Sequence, residues 1–177
     1  MTVDQLVEAI RKSTQHTYLY HFTCTTNFKS IKEQRALLSK GEMRARGIWP
    51  ENPGGNQWSW DADDYKGVSM YVSLCMTQSH PMARKIVQEQ RVPDIRHLCV
   101  EPSILLEPGV LFASDISNKA GVELKSLENA VDEIDFEVIY TRTNWSDPEI
   151  QARLRAAEKC EILVPNAIPI EMIPRVY

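Results

Sequence analysis

The segment that most constrains the fold lies near the C-terminal end, where a glutamate stands inside an apolar run. Its alternation predicts a short strand with Cys160, Ile162 and Val164 on one face. Glu161 and Leu163 then lie on the other face. A carboxylate in such a strand is costly to bury unless it is paired or functional, so Glu161 is the first candidate for a site residue. The alternative is an edge strand with this side chain in solvent.

The chain length of 177 residues fits one domain over residues 1–177, long enough to bury a core without cross-links. The cysteines lack the paired spacing of zinc or redox motifs and are expected to be reduced, buried thiols: Cys24, Cys75, Cys99 and Cys160. The histidines are equally scattered, so no metal site is predicted. No apolar run is long enough for a membrane span and no signal peptide is recognisable, which favours a cytoplasmic protein.

Charge is distributed unevenly along a chain whose formal net charge is −4. Residues 1–46 carry eight Lys and Arg against four Asp and Glu, whereas residues 101–137 carry two against nine. Because the acidic block would repel phosphate, a nucleic acid would have to bind on another side. The same distribution also fits a protein with uneven but solvated faces.

Short helices and strands alternate irregularly along the chain, which predicts an α+β fold. Thr2 and Gln5 resemble a capping box for the first helix, and Asp147 with Pro148 marks the start of the last. The predicted helices cover residues 3–10, a segment from Thr26 through Phe28, Ile31 and Leu38 to residues 39–41, a segment opened by Pro81, residues 124–134 and residues 148–157. The predicted strands cover residues 18–23, 68–74, 97–100, 109–114 and 136–140, and the segment around Glu161.

Residues 41–67 show no regular periodicity and are predicted to form a long loop. Turn-forming residues surround Trp49, Trp58 and Trp60 in this region. Tryptophans argue against disorder, and a loop of this length is typical of a binding segment. An irregular segment packed into the core is the alternative.

Several common catalytic motifs are absent from the sequence. It contains no Gly-rich phosphate loop, no zinc-protease helix motif and no nucleophile elbow. Basic and aromatic residues are not interleaved as in an RNA-binding sheet. His21 lies on a predicted strand, where a lone histidine is more often structural than catalytic.

Three segments resemble, in order and spacing, the DarT-like ADP-ribosyltransferases over most of the chain. The first combines Tyr20-His21-Phe22-Thr23 with Asn27-Phe28, Ile31 and Leu37-Leu38-Ser39. The second combines Met70-Tyr71-Val72 with Pro81-Met82. The third combines Trp145, Arg155 and Ala157 with Glu161-Ile162-Leu163-Val164-Pro165 and Pro169.

The resemblance implies an ADP-ribosyltransferase-like fold, α+β, in which helices flank a central split β-sheet. It also implies an enzyme that uses NAD+ to attach ADP-ribose to a base in DNA and that acts as the toxin of a toxin–antitoxin pair. Because tryptophans stack on unpaired bases, single-stranded DNA is the better fit. The expected partners are therefore single-stranded DNA and a cognate antitoxin, without a membrane, and the expected state is a monomer.

Glu161 matches the catalytic glutamate of the family. Cleavage of the nicotinamide glycosidic bond develops oxocarbenium character on the ribose, which a fixed carboxylate stabilises. The NAD+-binding residues that the resemblance implies are His21, Thr23, Asn27, Tyr71 and Arg44, with Tyr71 stacking on the nicotinamide. The acceptor-binding candidates are Trp58 and Trp60 of the predicted loop, whose rings can stack on bases, together with Arg155 and Trp145 of the third resembling segment.

One departure from the family pattern concerns an essential arginine, which the family carries in a helical segment after Leu-Leu-Ser. Here that region is the predicted Trp/Pro/Gly loop, and its arginines are Arg44 and Arg46. Arg46 is the first candidate for the catalytic arginine and Arg44 the second.

Two other functions remain open from the sequence. The enzyme can modify RNA or a protein side chain instead of DNA, because the loop that would grip the acceptor departs from the family. Alternatively, the fold is a catalytically silent module that binds nucleic acid or a partner. The presence of His21, Tyr71 and Glu161 favours an active enzyme over that module.

Overall fold

A computed structural model of the protein describes residues 1–53 and 57–177, without the side chains of Gln57 and Trp58. The described part contains nine strands, which belong to one large and one small sheet. The strands are β1 (Leu19–Thr23), β2 (Ala36–Leu38), β3 (Tyr71–Cys75), β4 (Arg96–Val100), β5 (Leu111–Ala113), β6 (Leu124–Lys125), β7 (Glu161–Pro165), β8 (Ala167–Pro169) and β9 (Arg175–Val176).

α-Helices precede β1 and lie between several of the strands. They are α1 (Val3–Lys12), α2 (Phe28–Gln34), α3 (Lys40–Ala45), α4 (Gln57–Lys66), α5 (Pro81–Gln88), α6 (Leu127–Ala130), α7 (Phe136–Tyr140) and α8 (Pro148–Ala157). Short 3₁₀ turns cover Thr25–Asn27, Val68–Met70, Pro102–Leu106 and Ile170–Met172. The predicted α+β fold is confirmed.

The large sheet is antiparallel, with the strand order β6-β5-β7-β3-β1-β4-β9, and β2 pairs with β8 in the small sheet. β7 lies between β5 and β3, so both backbone edges of Glu161 are paired: with Ala113 on one side and Cys75 on the other. The edge-strand alternative for this segment is therefore wrong.

The sheet is split between β1 and β3. These strands share one register pair, Tyr20 with Cys75, whereas β1 with β4 and β3 with β7 each pair over five. Across the split, His21 Nδ1 donates a hydrogen bond to the Ser73 carbonyl at 3.0 Å. A side chain thus joins two strands whose backbones have separated.

The face of β7 opposite Glu161 packs into the main hydrophobic core. Cys160, Ile162 and Val164 are buried there. α1 contributes Leu6 and Ile10 to the same core, and its predicted capping box is present, with both hydrogen bonds formed. The alternation predicted for the Glu161 segment is confirmed.

The helix predicted from Thr26 to residues 39–41 is shorter than expected. α2 ends at Gln34, and Arg35 adopts a left-handed conformation with φ of 51°. The apolar residues that follow form β2, in which Leu37 pairs with Ile168 of β8. Thr26 lies inside a 3₁₀ turn and is not the helix cap. This segment forms a strand instead of a helix because it pairs with a distant strand, which the local sequence does not reveal.

The loop predicted over residues 41–67 is wrong where the structure describes it. α3 begins after Ser39, whose hydroxyl accepts a hydrogen bond from the Glu42 N–H at 3.1 Å. α4 occupies the end of the segment. Its polar and aromatic residues do not form a single apolar stripe, which is why the sequence did not predict a helix.

Three smaller predictions also changed. Residues 136–140 form α7 instead of a strand, because Asp135 caps the segment and accepts the Val138 N–H. The predicted strand over residues 68–74 begins only at Tyr71. The predicted helix over residues 124–134 is reduced to α6, since Leu124 belongs to β6. Short apolar runs do not distinguish helix from strand.

The remaining helix predictions, opened by Pro81 and Pro148, are confirmed as α5 and α8. The four cysteines are free and buried. Within the described residues, no helix has the length and apolar character that crossing a bilayer requires.

Candidate active site

A cavity of about 250 Å³ lies beside the split in the large sheet. β1 contributes His21 and Thr23 to its lining, β3 contributes Tyr71 and Ser73, and β7 contributes Glu161. Residues of α2, α3 and α4 line its other side. With Asn27, which also lines the cavity, the structure therefore brings together the candidate catalytic glutamate and four of the predicted NAD+-binding residues.

Glu161 is buried, with 7% of its surface exposed. Its Oε2 accepts the Ser117 N–H at 2.9 Å, and its Oε1 lies 3.5 Å from His80 Nε2. Burial raises the pKa of the Glu161 carboxyl, while the hydrogen bonds from Ser117 oppose that shift. The carboxylate is thus buried and held by Ser117, with His80 close to its other oxygen.

His21 is fixed in one tautomer. A carbonyl oxygen can only accept, so the bond to Ser73 places the ring proton on Nδ1 and leaves Nε2 as an acceptor. Burial lowers the pKa of His21, and the nearby His97 and Lys40 lower it further, so the ring is neutral at neutral pH. His21 therefore offers a hydrogen-bond acceptor to a bound hydroxyl or amide.

Asn27 lies at the start of α2 and connects two parts of the cavity wall. Its Nδ2 donates to Thr23 Oγ1 at 3.2 Å and to the Asn52 carbonyl at 3.0 Å. The Asn52 N–H donates back to Asn27 Oδ1 at 3.3 Å. Asn27 lines the cavity and joins β1 to the segment before α4.

Lys40, at the start of α3, brings a positive charge to the cavity. Of the cavity-lining residues in the described part, it is the one with a permanent positive charge. Its ammonium group forms an ion pair with Asp63 and lies 5.1 Å from the centre of the Trp60 ring. Asp63 also accepts a hydrogen bond from Asn118 at 2.8 Å. This cluster occupies the helical side of the cavity.

Arg44 and Arg46 are placed differently, because neither lines the cavity. Arg44 forms a two-pronged pair with Asp64 at 2.9 and 3.3 Å. Arg46 donates to Glu42 at 3.2 Å and to Gln34 at 3.3 Å. Since Gln34 does line the cavity, Arg46 reaches its rim through that amide. The roles expected for both arginines stay predictions.

Of the tryptophans expected to bind the acceptor, Trp60 lines the cavity. Its ring stacks on Trp49, with centroids 5.6 Å apart and planes inclined by 26°. Trp49 is 61% exposed, so this pair extends from the cavity to solvent. The side chain of Trp58 lies outside the described part of the chain.

Two other expected acceptor residues lie away from the cavity lining. Trp145 is half-buried just before α8, where its carbonyl accepts a hydrogen bond from Gln151 at 2.9 Å. Arg155 is exposed near the end of α8. Neither is among the residues that line the cavity, and their roles also remain predictions.

Three residues of the site were missed in the sequence. Lys40 follows Ser39, a recognisable helix cap, so a capping analysis of this segment could have found it. His80 precedes Pro81, and a proline at the first helical position marks the residue before it as a cap. No local signal places Ser117 beside Glu161, because the two are brought together by tertiary packing.

The arrangement suits chemistry that develops positive charge beside Glu161. A buried carboxylate, a neutral histidine and an aromatic side chain line one wall, and a cation lies on the other. Across the described residues, no group of three His, Cys, Asp or Glu side chains is arranged to hold a metal ion.

Structural comparison gives several related folds. The chain resembles Thermus sp. 2.9 DarT in complex with ADP-ribosylated ssDNA, with a TM-score of 0.67 and 19% identity over 90% of this chain and 80% of that one. The same protein in complex with NAD+ gives a TM-score of 0.59, 19% identity and the same coverage. Thermosipho africanus DarTG in complex with ADP-ribose gives 0.65 and 18% over 90% of this chain and 43% of that one.

Because these sequence identities are low, the structural similarity shows a shared fold alone. Among curated proteins, no sequence matches the chain significantly. The family model described as ssDNA thymidine ADP-ribosyltransferase, DarT, matches residues 20–177. Because that match covers nearly the whole chain, this protein belongs to the DarT family of ssDNA thymidine ADP-ribosyltransferases.

Proposed function

We propose that this chain transfers ADP-ribose from NAD+ to a thymine base of single-stranded DNA, with Glu161 as the catalytic carboxylate. The observation that carries the proposal is the buried Glu161 carboxylate in the lining of the cavity beside the split. Membership of the DarT family makes the chain an NAD-dependent ADP-ribosyltransferase. The family description supports the acceptor, and the geometry of the two cavity walls supports the residue roles proposed here.

The reaction exchanges one glycosidic bond for another. The bond between the ribose anomeric carbon and nicotinamide breaks, and nicotinamide leaves with the bonding pair. A ring nitrogen of the base then bonds to the same carbon, and its proton passes to a base. Glu161 stabilises the oxocarbenium-like ribose and is the base within reach of the attacking group.

The sheet wall suits the nicotinamide half of NAD+. His21 Nε2 can accept a hydrogen bond from a ribose hydroxyl, because Nδ1 is already bonded to Ser73. Tyr71 lines the same wall and supplies an aromatic face for the nicotinamide ring. Thr23 and Asn27 complete this side of the site. The Thermus relative was solved with NAD+, which supports the cosubstrate.

The helical wall supplies a cation for the diphosphate of the cosubstrate. We assign this role to Lys40, because it lines the cavity while Arg46 lies at its rim. The ion pair with Asp63 orients the ammonium group, and a diphosphate would compete with that carboxylate for it. Arg46 remains the alternative, since it donates a hydrogen bond to Gln34, which lines the cavity.

The acceptor base fits the tryptophan side of the cavity. Trp60 and Trp49 form a stacked pair that leads from the cavity to solvent, and unpaired bases stack on such rings. The Thermus relative was solved with ADP-ribosylated ssDNA, which supports the same acceptor here. We place Trp58 in this role as well.

A role as the toxin of a toxin–antitoxin pair is also proposed. The Thermosipho relative is a DarTG protein, and this chain spans 43% of its length. The expected partner is therefore an antitoxin that blocks the enzyme or removes its mark. Co-expression with that antitoxin should restore the growth of cells in which the intact chain, but not its Glu161→Gln variant, halts division.

The test is incubation with NAD+ labelled in its adenylate half and five separate acceptors. These are thymine-containing single-stranded DNA, the same strand without thymine, duplex DNA, RNA and protein. Label should enter the first alone, and Glu161→Gln should abolish it. Label in RNA or protein would show that the chain transfers ADP-ribose to a different acceptor. The absence of label from every acceptor would contradict the proposal.

A further inference from the structure

His80 is a buried titratable residue with no part in the reaction described above. It has 0% of its surface exposed and caps α5, where its Nδ1 accepts the Met82 N–H at 3.3 Å. An accepting Nδ1 leaves the ring proton on Nε2 in the neutral form. Burial lowers the pKa of His80 to about 4, so the ring is neutral at neutral pH. Its one N–H therefore points away from the helix cap.

That N–H lies beside the catalytic carboxylate. Nε2 is 3.5 Å from Glu161 Oε1 and, among the described residues, has no hydrogen-bond partner at ordinary distance and angle. The ring also packs against Phe22 of β1, with centroids 6.0 Å apart and planes inclined by 25°. The cap on one side and Phe22 on the other fix the direction of Nε2.

We propose that His80 is a positioning residue, whose Nε2–H holds Oε1 of Glu161 while the Ser117 N–H holds Oε2. Two donors from separate elements then fix both oxygens of one carboxylate. A carboxylate has about four lone-pair sites, so two remain for the substrate. The 3.5 Å separation shortens to a hydrogen bond in the substrate complex, as catalytic contacts commonly do. This inference rests on the role proposed for Glu161.

Other charges surround the carboxylate and must stay constant in a test. Besides burial, which has the largest effect, Asp63 raises the pKa of Glu161 and Lys40 lowers it. Cys75 faces it from β3, and burial raises the pKa of that thiol well above its usual value, so the thiol is neutral. Substitutions at His80 leave all three in place.

The surroundings of His80 itself also carry charge. Beyond the effect of burial, Arg84 on α5 lowers the pKa of His80, whereas the backbone of Lys159 and the Asp115 carboxylate raise it. The Lys159 backbone is the competing acceptor for the Nε2 proton. If that group takes the proton, Glu161 gains nothing from His80, and substitutions at His80 distinguish the two cases.

Two substitutions separate the hydrogen bond from the helix cap. His80→Asn keeps a strong capping residue but is too short to reach Glu161. His80→Gln places an amide N–H near the position of Nε2. We expect His80→Asn to lower kcat about 10- to 100-fold, as the loss of one hydrogen bond to a charged group does, with the KM for NAD+ nearly unchanged. His80→Gln should recover part of that loss.

The deciding measurement is the titration of the Glu161 carboxyl carbon by NMR in the complex with the NAD+ analogue carba-NAD+, identified by its disappearance in Glu161→Gln. Losing a donor disfavours the charged form, so His80→Asn should move this titration and the acid limb of kcat to higher pH. His80→Gln should return both. An unmoved titration in His80→Asn overturns the proposal, including when kcat falls because the variant melts early. A wild-type chain that transfers no ADP-ribose while this titration moves would refute the proposed function alone.

Discussion

The two walls of the cavity differ in how they are held. The sheet wall presents Glu161 and His21 from strands, with buried polar contacts and few free rotations. The helical wall presents Lys40 and Trp60 from α3 and α4, through an ion pair and ring contacts that extend into solvent. A reaction centre needs fixed geometry, whereas an acceptor site must admit a polymer. The difference therefore assigns chemistry to one wall and recognition to the other.

The largest expected effect is on the sheet wall. Glu161→Gln keeps the side-chain shape but removes the charge, and transfer should fall by about 1,000-fold. NAD+ hydrolysis without acceptor should fall with it, because both reactions share the ribose cation. Rates with labelled NAD+ provide the measurement, and exposed Glu128→Gln is the matched control. Full activity in a folded Glu161→Gln protein would contradict the catalytic role proposed for the sheet wall.

The second effect is on the charge of the helical wall. Lys40→Ala should lower transfer about 10- to 100-fold, because it removes the charge proposed to bind the substrate and leaves the Asp63 carboxylate without its ion-pair partner. Lys40→Arg should retain more activity than Lys40→Ala. Lys29→Ala, on the exposed surface of α2, controls for general loss of positive charge. Equal rates in Lys40→Ala and Lys29→Ala would show that Lys40 does not supply the positive charge that binds the substrate.

The third effect tests recognition. Trp60→Ala should raise the KM for single-stranded DNA about tenfold, since stacking of one base on an aromatic ring is worth about 1–3 kcal/mol. NAD+ hydrolysis without acceptor should change little, because the sheet wall is intact. Tyr65→Ala is the control, since Tyr65 lies on the same helix and is 92% exposed. Equal loss of both reactions together with early melting would make Trp60 a packing residue.

A fourth effect concerns stability and pH. The Glu161 pKa is raised in the folded state above its ordinary value of 4.5, so the unfolded chain releases this proton first. Wild type loses folding stability as pH rises through the folded pKa, because the buried carboxyl must then become charged. Glu161→Gln carries no titrating group at this position and keeps that stability. The variant should therefore melt a few degrees higher than wild type at pH 8 and at the same temperature near pH 4. Thermal melts across this range check the sign, and a variant that melts lower at pH 8 contradicts it.

The smallest effect is expected at the rim. Arg46→Ala should lower transfer only about two- to threefold, because its exposed pairs with Glu42 and Gln34 contribute little and a further movement is needed to reach substrate. Arg44→Ala, which breaks the exposed pair with Asp64, is the comparison. If Arg46→Ala loses as much activity as Lys40→Ala, Arg46 also contributes the positive charge that the site needs, as the family pattern suggests.

The sequence predicted the two walls unequally. β1 and β7 are short strands with clear alternation, and an unusual glutamate within an apolar run marks the proposed catalytic position in the sequence itself. α3 and α4 were missed, because a serine cap was overlooked and α4 has no apolar stripe. Lys40, His80 and Ser117 belong to the site through packing between distant segments. Local patterns report local structure, and these contacts are not local.

The central position of β7 has a consequence for how the enzyme loses activity on heating. Glu161 is paired through its backbone to β3 and β5, so its amide should exchange with solvent only when most of the sheet opens. α4, which carries Trp60 and the exposed Tyr65, should open at lower free energy. Warming should therefore first release the grip on DNA and leave cleavage of NAD+ running, until the sheet itself melts. Over that interval the protein would behave as an NAD+ hydrolase.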